Sequence, residues 1–189
     1  PVVLDPVGAG ASSYRMQTLR DFFAQYQFSV VRGNVSELLA VGGAASNTKG
    51  VDAGAADAVT EENLEERVAF FKQLSAKLGA VVSVSGAIDI IASPEKAYIC
   101  RNGHPMMSCV TGTGCMLSAL TAAYCGGNPD NILEAAAAAT VAMGVAGDIA
   151  YRKTTEQGLG TGSFRVYLID AISLMNAETL NGGMKVEIR

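Results

Sequence analysis

Apolar and polar positions fall into two kinds of block along this chain, and the two kinds take turns. Val2-Val3-Leu4, Phe28-Ser29-Val30-Val31 and Ala80-Val81-Val82-Ser83-Val84-Ser85 are short, nearly continuous apolar runs rich in β-branched residues, which predicts buried strands. Between them apolar residues recur every three or four positions. Leu19, Phe22, Phe23 and Tyr26 predict a helix entered at Ser12 or Ser13, its aromatics directed into the core. Asn34-Val35-Ser36-Glu37 has the spacing of a capping box and opens another. Leu64, Val68, Phe71, Leu74 and Leu78 predict a third, capped by Thr60, with Glu61 and Glu62 in its first turn and Gly79 at its end. Strands alternating with helices predict an α/β fold. Strands without polar alternation predict a mostly parallel sheet flanked by helices on both faces.

The second half keeps the alternation but changes its proportions. Asp89-Ile90-Ile91-Ala92 and Ala97-Tyr98-Ile99-Cys100, joined by Ser93-Pro94-Glu95-Lys96, predict an antiparallel hairpin. A helix follows Val110-Thr111-Gly112 and closes at Cys125-Gly126-Gly127. Asn128-Pro129 starts the next, with proline at its first position, and it runs from Ile132 to about Arg152. That helix is apolar all round and therefore buried, and Gly144 and Gly147 let a neighbour come close. Its Ala- and Gly-rich stretch, Ala135 to Ala146, is too short to span a bilayer. The glycine loop Gly158 to Ser163 leads to a helix from Phe164 past Met175, and Lys185 to Arg189 is an alternating tail. Gly42 to Ala58, with Lys49-Gly50-Val51-Asp52 inside it, reads as a flexible connection long enough to be functional or mobile. No repeat or boundary linker interrupts the chain, so residues 1–189 read as a single domain.

Composition narrows the function classes. A net charge of −4 carries no footprint for nucleic acid or an anionic membrane, so an anionic substrate needs a local cup. Cys100, Cys109, Cys115 and Cys125 form no CxxC pair and His104 is the one histidine, which argues against a zinc site. Reduced thiols without an export signal point to the cytoplasm. The chain opens at Pro1 directly on a strand, and the expectation is that an N-terminal portion is missing.

Candidate chemistry gathers at predicted strand ends and at one helix start. Ligands of α/β sheets bind at the carboxyl ends of strands, where Asp5 and Arg32 stand. Asp5 before Pro6 is equally a turn residue, Arg32 a solvated surface charge, and Glu37 the cap partner of Asn34. In Thr111-Gly112-Thr113-Gly114-Cys115 a glycine turn opens into an apolar helix, and free N–H groups with the helix dipole make an anion-binding cup. Cys115 at its rim is where a helix N-terminus favours a thiolate. The bland alternative is Thr113 as an ordinary N-cap and Cys115 as a small buried hydrophobe. His104 has no orienting partner in the sequence and reads as structural. Gly160-Thr161-Gly162 looks like a second cup, but reads better as a tight turn.

The order Asp5-Pro6-Val7-Gly8, Arg32-Gly33-Asn34-Val35-Ser36-Glu37, Ser83-Val84-Ser85-Gly86, Val110-Thr111-Gly112-Thr113-Gly114-Cys115 resembles the hydroxyethylthiazole kinases of the ribokinase-like superfamily. The likeness extends to Gly160-Thr161-Gly162-Ser163-Phe164-Arg165. Most superfamily relatives carry Asp where this chain has Cys115, and the thiazole kinases carry Cys. The resemblance implies a ribokinase-like fold and ATP- and Mg²⁺-dependent phosphorylation of the hydroxyethyl group of 4-methyl-5-(2-hydroxyethyl)thiazole in thiamine salvage. It further implies a homotrimer with active sites between subunits. Carried over, Arg32, Ser85 (Thr in many relatives), Gly112, Thr113 and Gly114 would bind ATP. Asp5 and Glu37 would hold Mg²⁺ or its waters, Gly112 would line the thiazole pocket, and Cys115 would be the base. The family's N-terminal portion, which supplies part of the thiazole pocket, has no counterpart in these residues. Alternatives are a ribokinase-like kinase for pyridoxal-type or hydrated-nicotinamide substrates, against which Cys115 argues, and a non-catalytic nucleotide-binding domain.

Overall fold

The computed structural model describes residues 1–44, 54 and 57–189, and among these six strands form one sheet in the order β1-β2-β3-β4-β5-β6. Strands β1 (Val3–Leu4), β2 (Val30–Asn34) and β3 (Val81–Ser85) pair in parallel, with helices in the crossovers. Strands β4 (Asp89–Ala92), β5 (Ala97–Cys100) and β6 (Val186–Ile188) are each antiparallel to the strand before. The sheet is thus mixed where a mostly parallel one was expected. The reason is connection length. Gly86-Ala87-Ile88 alone joins β3 to β4, and a parallel crossover needs a dozen or more residues. The predicted hairpin is present, and the alternating tail becomes its outer partner, with Ala97 and Arg189 exchanging backbone bonds of 2.9 Å.

The helices are α1 (Ser13–Gln25), α2 (Val35–Gly42), α3 (Leu64–Leu78), α4 (Thr113–Gly127), α5 (Ile132–Glu156), α6 (Thr161–Ser173) and α7 (Ala177–Gly183). Local chemistry accounts for most boundaries. Ser12 caps α1, the Asn34–Glu37 capping box opens α2, and Gly79 ends α3 in the left-handed conformation. Two starts differ from expectation. Thr60 does not cap α3; its N–H is held by the Asn63 side chain, and the helix begins only at Leu64. Pro129 lies in a turn closed by Asn131 N–H to Asn128 O rather than at the head of α5. The segment Lys49-Gly50-Val51-Asp52 lies outside the described residues.

Period-two alternation divides the sheet into two faces. Val31, Val82, Val84, Ile90 and Ile99 meet Leu38 of α2 and Leu64, Val68, Phe71 and Leu74 of α3. On the other face Val30 and Ile91 meet Cys125 of α4 and Ala135 and Ala136 of α5. Phe71 is fully buried, and truncating such a side chain to alanine costs about 3–5 kcal/mol. The α5 helix corrects the reading of its alanine-rich stretch. At 25 residues it is long and apolar enough to cross a bilayer, yet 67% of its most apolar window is buried, as befits a core helix. Its glycines seat neighbours: a Cβ on Gly144 would come within 2.6 Å of Asn102, and one on Gly147 within 2.4 Å of a Met107 sulfur.

Candidate active site

The alternation that directs Val30 and Ile91 toward α4 and α5 also directs Arg32, Ser85 and Asp89 to that face, at the carboxyl ends of β2 and β3 and the start of β4. Arg32 is 3% exposed, so its charge must be met from within. Nη1 donates to Asp5 Oδ2 at 3.1 Å, to Gly114 O at 3.0 Å and to Ser118 Oγ at 3.2 Å. Nη2 donates to Ser85 Oγ at 2.7 Å. The Ser118 hydroxyl closes the network by donating to the same Asp5 oxygen. A solvated surface charge is therefore the wrong description of Arg32. It joins the ends of β1, β2 and β3 to the first turn of α4. Among the described residues its Nε–H is buried without a partner, and of the five guanidinium donors this one and the second Nη2 hydrogen find none there.

Glu37 exceeds its capping role. Oε2 accepts the Asn34 N–H at 2.8 Å, as the box requires, while Oε1 accepts the Gly8 N–H at 2.8 Å. It is a brace between the β2–α2 junction and the loop that carries Asp5. Burial pushes its carboxyl above the ordinary value against the opposing pull of the two N–H groups. Asp5 differs in keeping one oxygen, Oδ1, without a protein partner among the described residues.

The start of α4 has cup geometry. Gly112 is the N-cap at φ +92°, a conformation that favours glycine, and no side chain caps the helix. The first turn-closing bond is Met116 N–H to Gly112 O at 2.9 Å, so the N–H groups of Thr113, Gly114 and Cys115 precede it. Neither bland alternative describes this helix. The Thr113 hydroxyl turns back toward Met107 O and Val110 O instead of capping, and Cys115 is exposed rather than buried.

A cavity of about 630 Å³ opens on this face, lined by Arg32, Ser85, Gly86, Asp89, Thr113 and Gly114 at one side and by Asn102, His104, Met107, Met143 and Gly144 at the other. His104 is held structurally: Nδ1 accepts the Met106 N–H and the ring stacks on Tyr151 at 3.3 Å. Of the expected site residues, Arg32, Ser85, Thr113 and Gly114 share the cavity wall and Asp5 joins them through Arg32. Gly112 and Cys115 are exposed at the helix start and are not among the lining residues, and Glu37 stands behind the Asp5 loop. Among the described residues no three His, Cys, Asp or Glu side chains cluster to hold a metal. Mg²⁺ asks for less, one or two carboxylates and several waters, and the free oxygen of Asp5 fits that demand.

Sequence reasoning missed two members. Ser118 sits one turn beyond Gly114 on the same side of α4, a spacing that could have flagged it. In the sequence Asp89 stands out only as the first hairpin residue. Burial pushes its carboxyl up to about 7, countered in part by the Gly86 N–H and by Arg32. A carboxylate between two buried strands was the available signal.

Comparison with known proteins matches residues 1–178 to the hydroxyethylthiazole kinase family. Over 187 residues the chain is 46% identical to the hydroxyethylthiazole kinase of Clostridium acetobutylicum, covering 99% of this chain and 68% of that protein. It is 42% identical to that of Clostridium tetani, covering 98% of this chain and 66% of the other. The chain thus spans about two thirds of the length of these relatives. Among solved structures, hydroxyethylthiazole kinase from Pyrococcus horikoshii superposes with a TM-score of 0.79 at 28% identity, over 100% of this chain and 65% of the other. The pyridoxal kinase of Staphylococcus aureus shares the fold alone, at a TM-score of 0.51 and 19% identity, over 77% of this chain and 50% of that one.

Proposed function

The chain belongs to the hydroxyethylthiazole kinase family, and on that premise we propose that it transfers the γ-phosphoryl group of ATP to the alcohol of 4-methyl-5-(2-hydroxyethyl)thiazole. The observation that carries the reading is Arg32: a buried guanidinium bonded to the first turn of α4, with two donors unspent among the described residues, on the wall of the same cavity as Thr113 and Gly114. Phosphoryl transfer asks a protein mainly for positioning and for neutralisation of charge on the phosphoryl oxygens. A preorganised guanidinium and a helix N-terminus supply both without reorganising as the reaction proceeds.

In this reading Arg32, Ser85 and the N–H groups of Thr113 and Gly114 receive the phosphates. The substrate hydroxyl oxygen attacks the γ-phosphorus, the bond to the β–γ bridging oxygen breaks, and ADP leaves with that electron pair. The hydroxyl proton passes to Cys115 as base. Gly112, with no side chain at the mouth of the cup, leaves room for the thiazole. Bound Mg²⁺ would supply charge neutralisation on the phosphates. Asp5 would meet it through Oδ1, and Glu37, with both oxygens engaged, would reach it through water while bracing the Asp5 loop. A homotrimer in the cytoplasm is the setting proposed, and exposed apolar residues on α6, Val166 and Ile169, suit a covered face.

The test is a coupled ADP-release assay with the thiazole alcohol, with and without Mg²⁺, and with pyridoxal as competing acceptor. Magnesium-dependent turnover of the thiazole alcohol is expected. Turnover of pyridoxal alone, or none with either acceptor, would overturn the assignment.

A further inference from the structure

Asp89 is the buried titratable group that the proposed reaction does not use. It is 9% exposed and lies on the wall of the cavity that Arg32 and Gly114 share. Oδ1 accepts the Gly86 N–H at 2.9 Å, which pins the short β3–β4 turn. Among the described residues no donor reaches Oδ2. Arg32 bonds Asp5, Gly114, Ser118 and Ser85 and, among the described residues, does not bond Asp89, which it attracts through space.

The surroundings leave this carboxyl nearly isolated. On β5 the residue opposite is Cys100, whose thiol burial pushes up to about 12, so it stays neutral. From α5 come Thr140, Met143 and Gly144, and beyond β5 stands His104, held by Met106 and Tyr151. Helix α3 packs on the opposite face of β4, against Ile90. Among the described residues Arg32 is thus the one full charge acting on Asp89. An arriving polyphosphate would claim that charge for itself and set its own negative charge in the same cavity.

We infer that Asp89 is a further nucleotide-binding group of this cavity, which engages the phosphates as the neutral acid by donating a hydrogen bond from Oδ2, so that nucleotide binding takes up a proton. The inference rests on the reading of the cavity as the ATP site. A carboxylate beside phosphate is repelled and has nothing to donate, whereas the acid has an O–H for a phosphate oxygen and keeps Oδ1 for Gly86. Burial already holds the group near neutrality, at about 7, and a polyanion drives it further toward the protonated form. The sign follows: affinity is flat well below that value and weakens as pH rises through it, by close to tenfold per pH unit when one proton is linked.

The experiment is calorimetric titration of the full chain with MgATP across pH, in buffers of different ionisation enthalpy, on the parent and on Asp89→Asn and Asp89→Leu. The parent should take up roughly one proton per nucleotide on the alkaline side, with the pH slope just given. Asp89→Asn mimics the acid, offering an oxygen to Gly86 and an N–H₂ to the cavity. It should lose the proton uptake, flatten the slope and bind more tightly than the parent above neutrality. Asp89→Leu should bind weakly at every pH. Differences between parent and variant cancel titration of the nucleotide itself. Nucleotide binding by the parent without proton uptake would overturn the inference whatever the variants do, as would weak binding by a folded Asp89→Asn at every pH. No MgATP binding by the parent would instead overturn the nucleotide reading of the cavity, and this inference with it.

Discussion

The triplet Gly-Thr-Gly occurs twice, as Gly112-Thr113-Gly114 and Gly160-Thr161-Gly162, and each time it opens a helix. The two starts are closed alike, by Met116 N–H to Gly112 O at 2.9 Å and Phe164 N–H to Gly160 O at 3.1 Å, and neither has a side-chain cap. They differ in setting. Gly112 adopts φ +92°, and the turn it starts is bonded through Gly114 O to a buried arginine and lines a cavity. Gly160 is extended at φ −107°, and a Cβ at Gly160 or Gly162 would meet nothing within 4 Å. The lesson is that a free helix N-terminus is a common object. A buried cation aimed at it and a concave wall around it are what make a candidate phosphate site.

Substitutions made in pairs, one at each triplet, test that contrast. The largest effect is expected from the residue after each. Cys115→Ala should lower kcat by about 10²–10⁴-fold, the usual worth of a general base, with little change in ATP binding, while Ser163→Ala should leave kcat unchanged. Equal kcat values in steady-state assays of the two variants would erase the distinction. Next come the nearby cations. Arg32→Ala should reduce kcat/KM for ATP by roughly 10–200-fold, the loss of charge-assisted hydrogen bonds, and Arg32→Lys by less. Lys153→Ala, beside Tyr167 of α6, should not alter ATP kinetics.

A smaller effect concerns the brace behind the first site. Both Glu37 oxygens accept backbone N–H groups, so Glu37→Gln turns an N–H₂ toward a donor and should cost about 1–3 kcal/mol in denaturant unfolding. Because the folded carboxyl is raised above its ordinary value, its contribution to stability is full below that value and declines as pH rises through the raised one. Melting curves across that range should show the decline in the parent and a shallower slope in Glu37→Gln. The smallest effect separates the triplets themselves. Gly112→Ala forces a Cβ into the left-handed region at about 1–2 kcal/mol, some 3–6 °C of melting temperature in a chain this size. Gly160→Ala, at an ordinary φ, should melt with the parent.

What this chain determined by itself is what neighbours a few residues apart can settle. Ser12 capping α1, the box of Asn34 and Glu37 and the hairpin at Ser93 to Lys96 follow from side chains reaching their own local backbone, while the end of α3 at Gly79 and the start of α4 at Gly112 follow from the left-handed φ that glycine adopts without strain. The identity of β1 to β5 was equally legible, because apolar runs report burial whatever covers them, whereas β6 showed only as an alternating tail. Direction and partnership were not. The antiparallel set of β4 follows from a short connection, and β6 joins the sheet only because Arg101 and Ala97 offer it backbone partners from far along the chain. Only the tertiary structure decided which Gly-Thr-Gly stands before Arg32, that Glu37 reaches Gly8, that Ser118 closes on Asp5 and that Asp89 keeps an oxygen free in the cavity wall. The physical reason is range. Caps and turns are written within one turn of backbone, whereas the charge on a buried group depends on which distant residues packing brings beside it in a medium that screens poorly.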